Sequence, residues 1–111
     1  MKTPVGFLFS GVRSGIKPNR RDLALVFSET PCTAVGCFTA NKAKAAPILH
    51  AQSRLPSSKI HAVIINSGNA NALTGPVGVE DVQSVCAAAA KALQIPVDSV
   101  VSASTGVIGQ R

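Results

Sequence analysis

Apolar positions along this chain fall in short runs separated by turn residues. The stretch Asp22 to Ser28 alternates, so that Leu23, Leu25 and Phe27 share one face of a strand. An earlier run, Val5 to Val12, reads as a strand interrupted by Gly11. Glu29-Thr30-Pro31 marks a turn, and Ala34 to Thr39 reads as a second strand that a hairpin joins to the first. Pro47 to Ala51 is a third strand candidate, placed at an edge or a strand start because Pro47 lacks a backbone donor. Ser53 to Lys59 is polar and turn-like, and Ile60 to Ile65 is the most apolar strand, of the kind buried on both faces. Val97 to Ser102 reads as the last strand.

The period changes once. Val79, Val82, Cys86, Ala89 and Leu93 recur at three and four, the stripe of an amphipathic helix. Glu80 and Asp81 lie near its start and Lys91 near its end, as the helix dipole favours, and Pro96 stops it. One main helix near 78-94 follows, in which Ala87 to Ala90 lets a neighbouring element approach closely. Strands followed by a helix and another strand describe an α+β unit, a mostly antiparallel sheet covered by helix. Residues 1-111 form one such unit, with no internal repeat and no linker.

Composition adds an expectation about surroundings. The 111 residues are 46% hydrophobic but only 14% charged, against about 25% in an average soluble domain. Much of the surface is therefore expected to meet more protein, either another subunit or the rest of a longer chain. The net charge of +6 gathers partly at Arg13, Lys17, Arg20 and Arg21, with Lys42 and Lys44 further on. There is no Trp, no Tyr and no run of five basic residues, so nucleic-acid binding is set aside in favour of a solvated basic loop.

Cys32, Cys37 and Cys86 cannot all pair within one chain, which suits a reducing compartment. Neither they nor His50 and His61 have zinc-ligand spacing, so no metal site is expected. No apolar stretch is long enough for a membrane helix. The N-terminus only faintly imitates a signal peptide, and the expected location is the cytoplasm.

Two polar loops follow the two most apolar strands. The first, Asn66-Ser67-Gly68-Asn69-Ala70-Asn71-Ala72, carries three short amides suited to bonding backbone groups, which favours scaffold over catalysis. The second is Ser104-Thr105-Gly106, a hydroxyl followed by a glycine, which could offer an O–H and an unobstructed N–H to a ligand oxygen. From spacing alone a polar turn is the better reading. Gly106 and Gly109 also match a bare G-x-x-G, with apolar rather than basic residues between them. No nucleophile elbow, phosphate loop or dinucleotide fingerprint is present.

Taken in order, six segments resemble the N-terminal part of the ornithine acetyltransferase family, the glutamate N-acetyltransferases of arginine biosynthesis. They are Gly6-Phe7 with Gly11-Val12 and Gly15-Ile16-Lys17; Arg21 to Leu25; Thr33 to Thr39 with Asn41; Lys44 to Pro47; Asn66 to Ala72 with Thr74-Gly75; and Ala103 to Gly109. The resemblance implies an αββα sandwich. It implies a precursor that cuts itself before a threonine, giving an α and a β chain assembled as an α2β2 heterotetramer. The β-chain threonine, with its own amine as base, would carry acetyl from N-acetylornithine to glutamate without metal or organic cofactor. Whether acetyl-CoA is also a substrate stays open.

By the same resemblance the nucleophile lies downstream of Arg111, and none of the threonines here occupies a cleavage site. A fragment of this kind should be inactive alone. Thr105 and Gly106 match the oxyanion-hole pair, which turns the reading of that loop from turn to function. The alternative is a free-standing binding module that presents the basic turn 13-21 to an anionic partner.

Overall fold

The computed structural model describes residues 2–111. Its order is β1 (Phe7–Val12), β2 (Leu23–Ala34), α1 (Ala46–Arg54), β3 (Ser57–Asn69), α2 (Gly75–Leu93), a 3-10 turn (Val97–Ser99) and β4 (Val100–Val107). The sheet follows chain order, β1-β2-β3-β4. The first two pairings are antiparallel, and β3 pairs with β4 in parallel. A parallel neighbour requires a crossover, and α2 supplies it. The α+β reading holds.

Alternation along the strands sorts the sheet into two faces. Leu25 and Phe27 of β2, with Ala62 and Ile64 of β3, face the helices. There they meet Ala46 of α1, Val100 of β4, and Val82, Cys86 and Ala90 of α2. The core is built of small residues, so the helices come close. Burial pushes the Cys86 thiol above its ordinary value. The other face carries Phe9, Val26 and Val63 in one register row, with Ala24 and Ile65 in the next. Phe9 is 54% exposed. A sheet with helices on one side and apolar residues on the other is one αβ half of a four-layer sandwich.

Four expectations are corrected. Pro47 to Ala51 is helical, not a strand: the proline occupies the first turn, where its missing N–H costs nothing. Ala34 to Thr39 is not a second strand, and no hairpin turn falls at Glu29-Thr30-Pro31. Those residues lie inside β2, which bends through register shifts between Phe27 and Ala34 and continues beside β3. The main helix begins at Gly75 rather than near 78, with Pro76 in its first turn, so Glu80 and Asp81 fall beyond that turn. The supposed turn Ser53 to Lys59 is divided between the end of α1 and the start of β3.

His50, on the buried side of α1, has neither ring nitrogen hydrogen-bonded. Burial first, and then the neighbouring Arg54 cation, push its pKa below the ordinary value.

Candidate active site at the β3 and β4 strand ends

The two polar loops of the sequence become neighbours because β3 and β4 run in parallel and in register. Ser67 pairs with Thr105, and Gly68 with Gly106. At this step the space that a side chain on Gly106 would need is filled by the neighbouring backbone. A Cβ on Gly106 would stand 2.2 Å from the carbonyl carbon of Gly68, and Gly106 has φ +135. Gly68 has φ +124 and sits at a register irregularity. Only glycine fits either place without strain. Ser104 to Gly106 are not a loop after the last strand but lie inside β4, and Thr105 and Gly106 are exposed there.

The first loop is not a loop throughout, since Asn66 to Asn69 belong to β3. Its amides are committed to holding backbone. Asn66 donates to the Asn69 carbonyl at 2.8 Å, and Asn69 donates to the Gln110 carbonyl at 3.0 Å. Asn71 donates to the Gly78 carbonyl at 2.8 Å and accepts from the Thr74 hydroxyl at 2.6 Å. The scaffold reading of these asparagines agrees with their bonds. Beyond Gly106, Ala70 N–H donates to Val107 O and Gly109 N–H to Ala72 O, so the strand end is tied on both sides.

The basic turn completes the neighbourhood. Asp22, only 3% exposed, accepts the Ser14 N–H at 2.6 Å and its hydroxyl at 2.9 Å on one oxygen, and the Lys17 N–H at 2.7 Å on the other. These bonds, those from backbone foremost, hold its carboxyl down at about 2. The turn so fixed lies over Gly68, whose missing Cβ would meet the Ile16 methyl and the Lys17 side chain. The Lys17 ammonium donates to the Ser67 hydroxyl. Sequence reading passed over Asp22 and Ser67 as chemistry and took Lys17 only as one charge of the basic turn 13-21. The one available signal was a lone acid directly after a basic run.

A groove of about 700 Å³ lies between α2 and the sheet. It is lined by apolar residues such as Leu23, Ile64 and Val85 with a polar end at Asp81 and Arg111, which form a two-bond ion pair. Thr105 and Gly106 do not line it. Among the described residues no three His, Cys, Asp or Glu side chains gather as a metal site, and no helix is long and apolar enough to cross a membrane.

Two solved structures superpose closely. One is the arginine biosynthesis bifunctional protein ArgJ of Bacillus halodurans, with a TM-score of 0.91 and 38% identity over 96% of this chain and 56% of that one. The other is the ornithine acetyltransferase of Mycobacterium tuberculosis complexed with ornithine, with a TM-score of 0.93 and 46% identity over 97% of this chain and 60% of that one. The bifunctional ArgJ protein of Thermotoga neapolitana is 48% identical over 98% of this chain, and that of Caldanaerobacter subterraneus 45% identical, again over 98%. The chain spans 28% of the first relative's length and 27% of the second's. The ArgJ family model matches residues 8–111. With nearly every residue of the sheet, both helices and the paired glycines inside that match, the chain belongs to the ArgJ family.

Proposed function

We propose that this chain is the N-terminal part of a bifunctional acetyltransferase of arginine biosynthesis and contributes the oxyanion hole at Thr105 and Gly106. The observation that carries this reading is the seating of Gly106 against Gly68, with an exposed threonine and a glycine side by side at the end of β4. A pair of fixed donors stabilises negative charge without reorganising as the charge develops.

In the reaction, the hydroxyl of a threonine supplied by the β chain attacks the acetyl carbonyl of N-acetylornithine. Its proton passes to the threonine's own α-amine, and the carbonyl oxygen becomes the oxyanion held at Thr105 and Gly106. The C–N bond then breaks, ornithine leaves with a proton on its amine, and acetyl remains as an ester of the threonine. The amine of glutamate attacks that ester through a second oxyanion in the same place, giving N-acetylglutamate and the free threonine. This chemistry requires no metal or organic cofactor. The apolar sheet face at Val26, Val63 and Ile65 is where the second sheet of the αββα sandwich packs, and the cytoplasmic assembly is α2β2.

The test is made on the full-length protein. Incubation with N-acetylornithine and glutamate should give N-acetylglutamate, and mass spectrometry of the enzyme with N-acetylornithine alone should show one acetyl group on a threonine-led chain. Absence of both products overturns the reading. Residues 1–111 alone should give no turnover above buffer.

A further inference from the structure

The basic turn takes no part in the chemistry just described, yet one buried carboxylate accepts three hydrogen bonds from it. A carboxylate at about 2 and 3% exposed sits at its centre. Backbone also ties it to the strand end, because Ser67 N–H donates to the Asp22 carbonyl at 2.8 Å. The turn is thus joined to β3 by two bonds to one residue: Asp22 O takes the Ser67 N–H, and the Lys17 ammonium gives to the Ser67 hydroxyl. Lys17 is half-buried, whereas Arg13, Arg20 and Arg21 are exposed. Ion pairs among the described residues are Arg54–Asp98 and Arg111–Asp81, so the ammonium is not spent on a carboxylate.

A stack results. The Lys17 stem lies against Gly68, 3.1 Å from where a Cβ would be, and Gly68 in turn backs Gly106. Shifting the β3 end would therefore move the donor next to Thr105. Misplacing a catalytic group by 1 Å can cost about 10²-fold in rate, and such groups depend on the shell that holds them.

We propose that Lys17 is a positioning residue for the Thr105–Gly106 end of β4. Its ammonium anchors Ser67 and its stem backs Gly68, so that the strand end carrying Gly106 keeps one geometry while charge develops. This rests on the oxyanion-hole reading and adds to it a residue 50 positions away from Ser67 in the chain.

The experiment compares Lys17→Met, Ser67→Ala, the double variant and Lys17→Arg in the full-length enzyme, with Thr105→Ala as reference. Methionine keeps the stem and removes the ammonium. Lys17→Met and Ser67→Ala should each lower kcat about tenfold, with KM and Tm close to wild type. The double variant should be no slower than either single, since both remove one interaction, and Lys17→Arg should recover most of the rate.

Wild-type kcat in Lys17→Met beside an impaired Thr105→Ala overturns the proposal and leaves the oxyanion hole standing. A fully active Thr105→Ala overturns the site and the proposal together. A raised KM at unchanged kcat makes Lys17 a substrate contact, and a lowered Tm with normal turnover per folded molecule makes it structural; either result overturns the positioning role. Should Lys17→Met fail to fold, Ser67→Ala decides alone, and wild-type kcat there is the overturning result.

Discussion

Two stretches of this chain look alike as sequence and differ as structure. Asn66 to Ala72 and Ser104 to Gly106 are both short, polar and glycine-bearing, and both contain the polar end of an otherwise apolar strand, β3 or β4. In the first, the asparagine side chains are engaged with backbone groups, and that of Asn71 also with the Thr74 hydroxyl. In the second, Thr105 and Gly106 are exposed at a strand end whose backbone is locked against Gly68. Polarity alone does not separate a scaffold from a site. The separation comes from whether donors are already used, because a committed donor has nothing to offer a reacting oxygen.

The largest effect expected to test that contrast is on turnover. Thr105→Ala in the full-length enzyme should lower kcat about 10²–10³-fold, as loss of one oxyanion donor does, with KM and Tm nearly unchanged. Steady-state kinetics and a thermal melt on the same sample measure both. An active variant would make this stretch a turn like the other.

Gly106→Ala attacks the backing rather than the donor. Its methyl would fall 2.2 Å from backbone at an unfavourable φ, so stability should drop by about 1–3 kcal/mol, the usual range for overpacking. Chemical denaturation gives the difference, and turnover should fall as well.

Asn71→Ala breaks the other stretch. It removes the bond to Gly78 O and leaves the Thr74 hydroxyl without its acceptor, which should cost about 1–2 kcal/mol. Turnover per folded molecule should remain at the wild-type value. A loss of kcat without a loss of stability would dissolve the distinction between the two regions.

The smallest effect lies away from both, at His50. Its folded-state pKa is lowered, so the unfolded chain binds the proton more readily. The stability it contributes is therefore present above the ordinary value of 6.5 and lost as pH falls below it. Melts between about pH 7.5 and about pH 5.5 should show a wild-type decline that His50→Leu reduces.

Local pattern was enough for the α+β class, the apolar strands at 22–28 and 60–65, and the helix carrying the stripe Val79, Val82, Cys86, Ala89 and Leu93. These are legible because side-chain period and local propensity act within a few residues. The length of β2 was not legible. Thr30 and Pro31 signal a turn locally, but pairing with β3 at Phe27 and again at Cys32 carries the strand through them as an irregularity. Nor was α1: Pro47 fits a helix's first turn and a strand's edge equally well, and only packing of Ala46 against Cys86 and Val100 decides between them.

The site divides the same way. By spacing alone Thr105 and Gly106 read as a polar turn, and only the resemblance to a family marks them as a candidate site. Asp22 holds its turn through bonds only 5 to 8 positions away, but that Gly68 backs Gly106, and that Lys17 reaches Ser67 and Gly68, depends on contacts between residues about 40 to 50 positions apart. No local pattern encodes the approach of one backbone to another. It exists only once β3 and β4 lie in parallel register, because registry is what sets two glycines face to face.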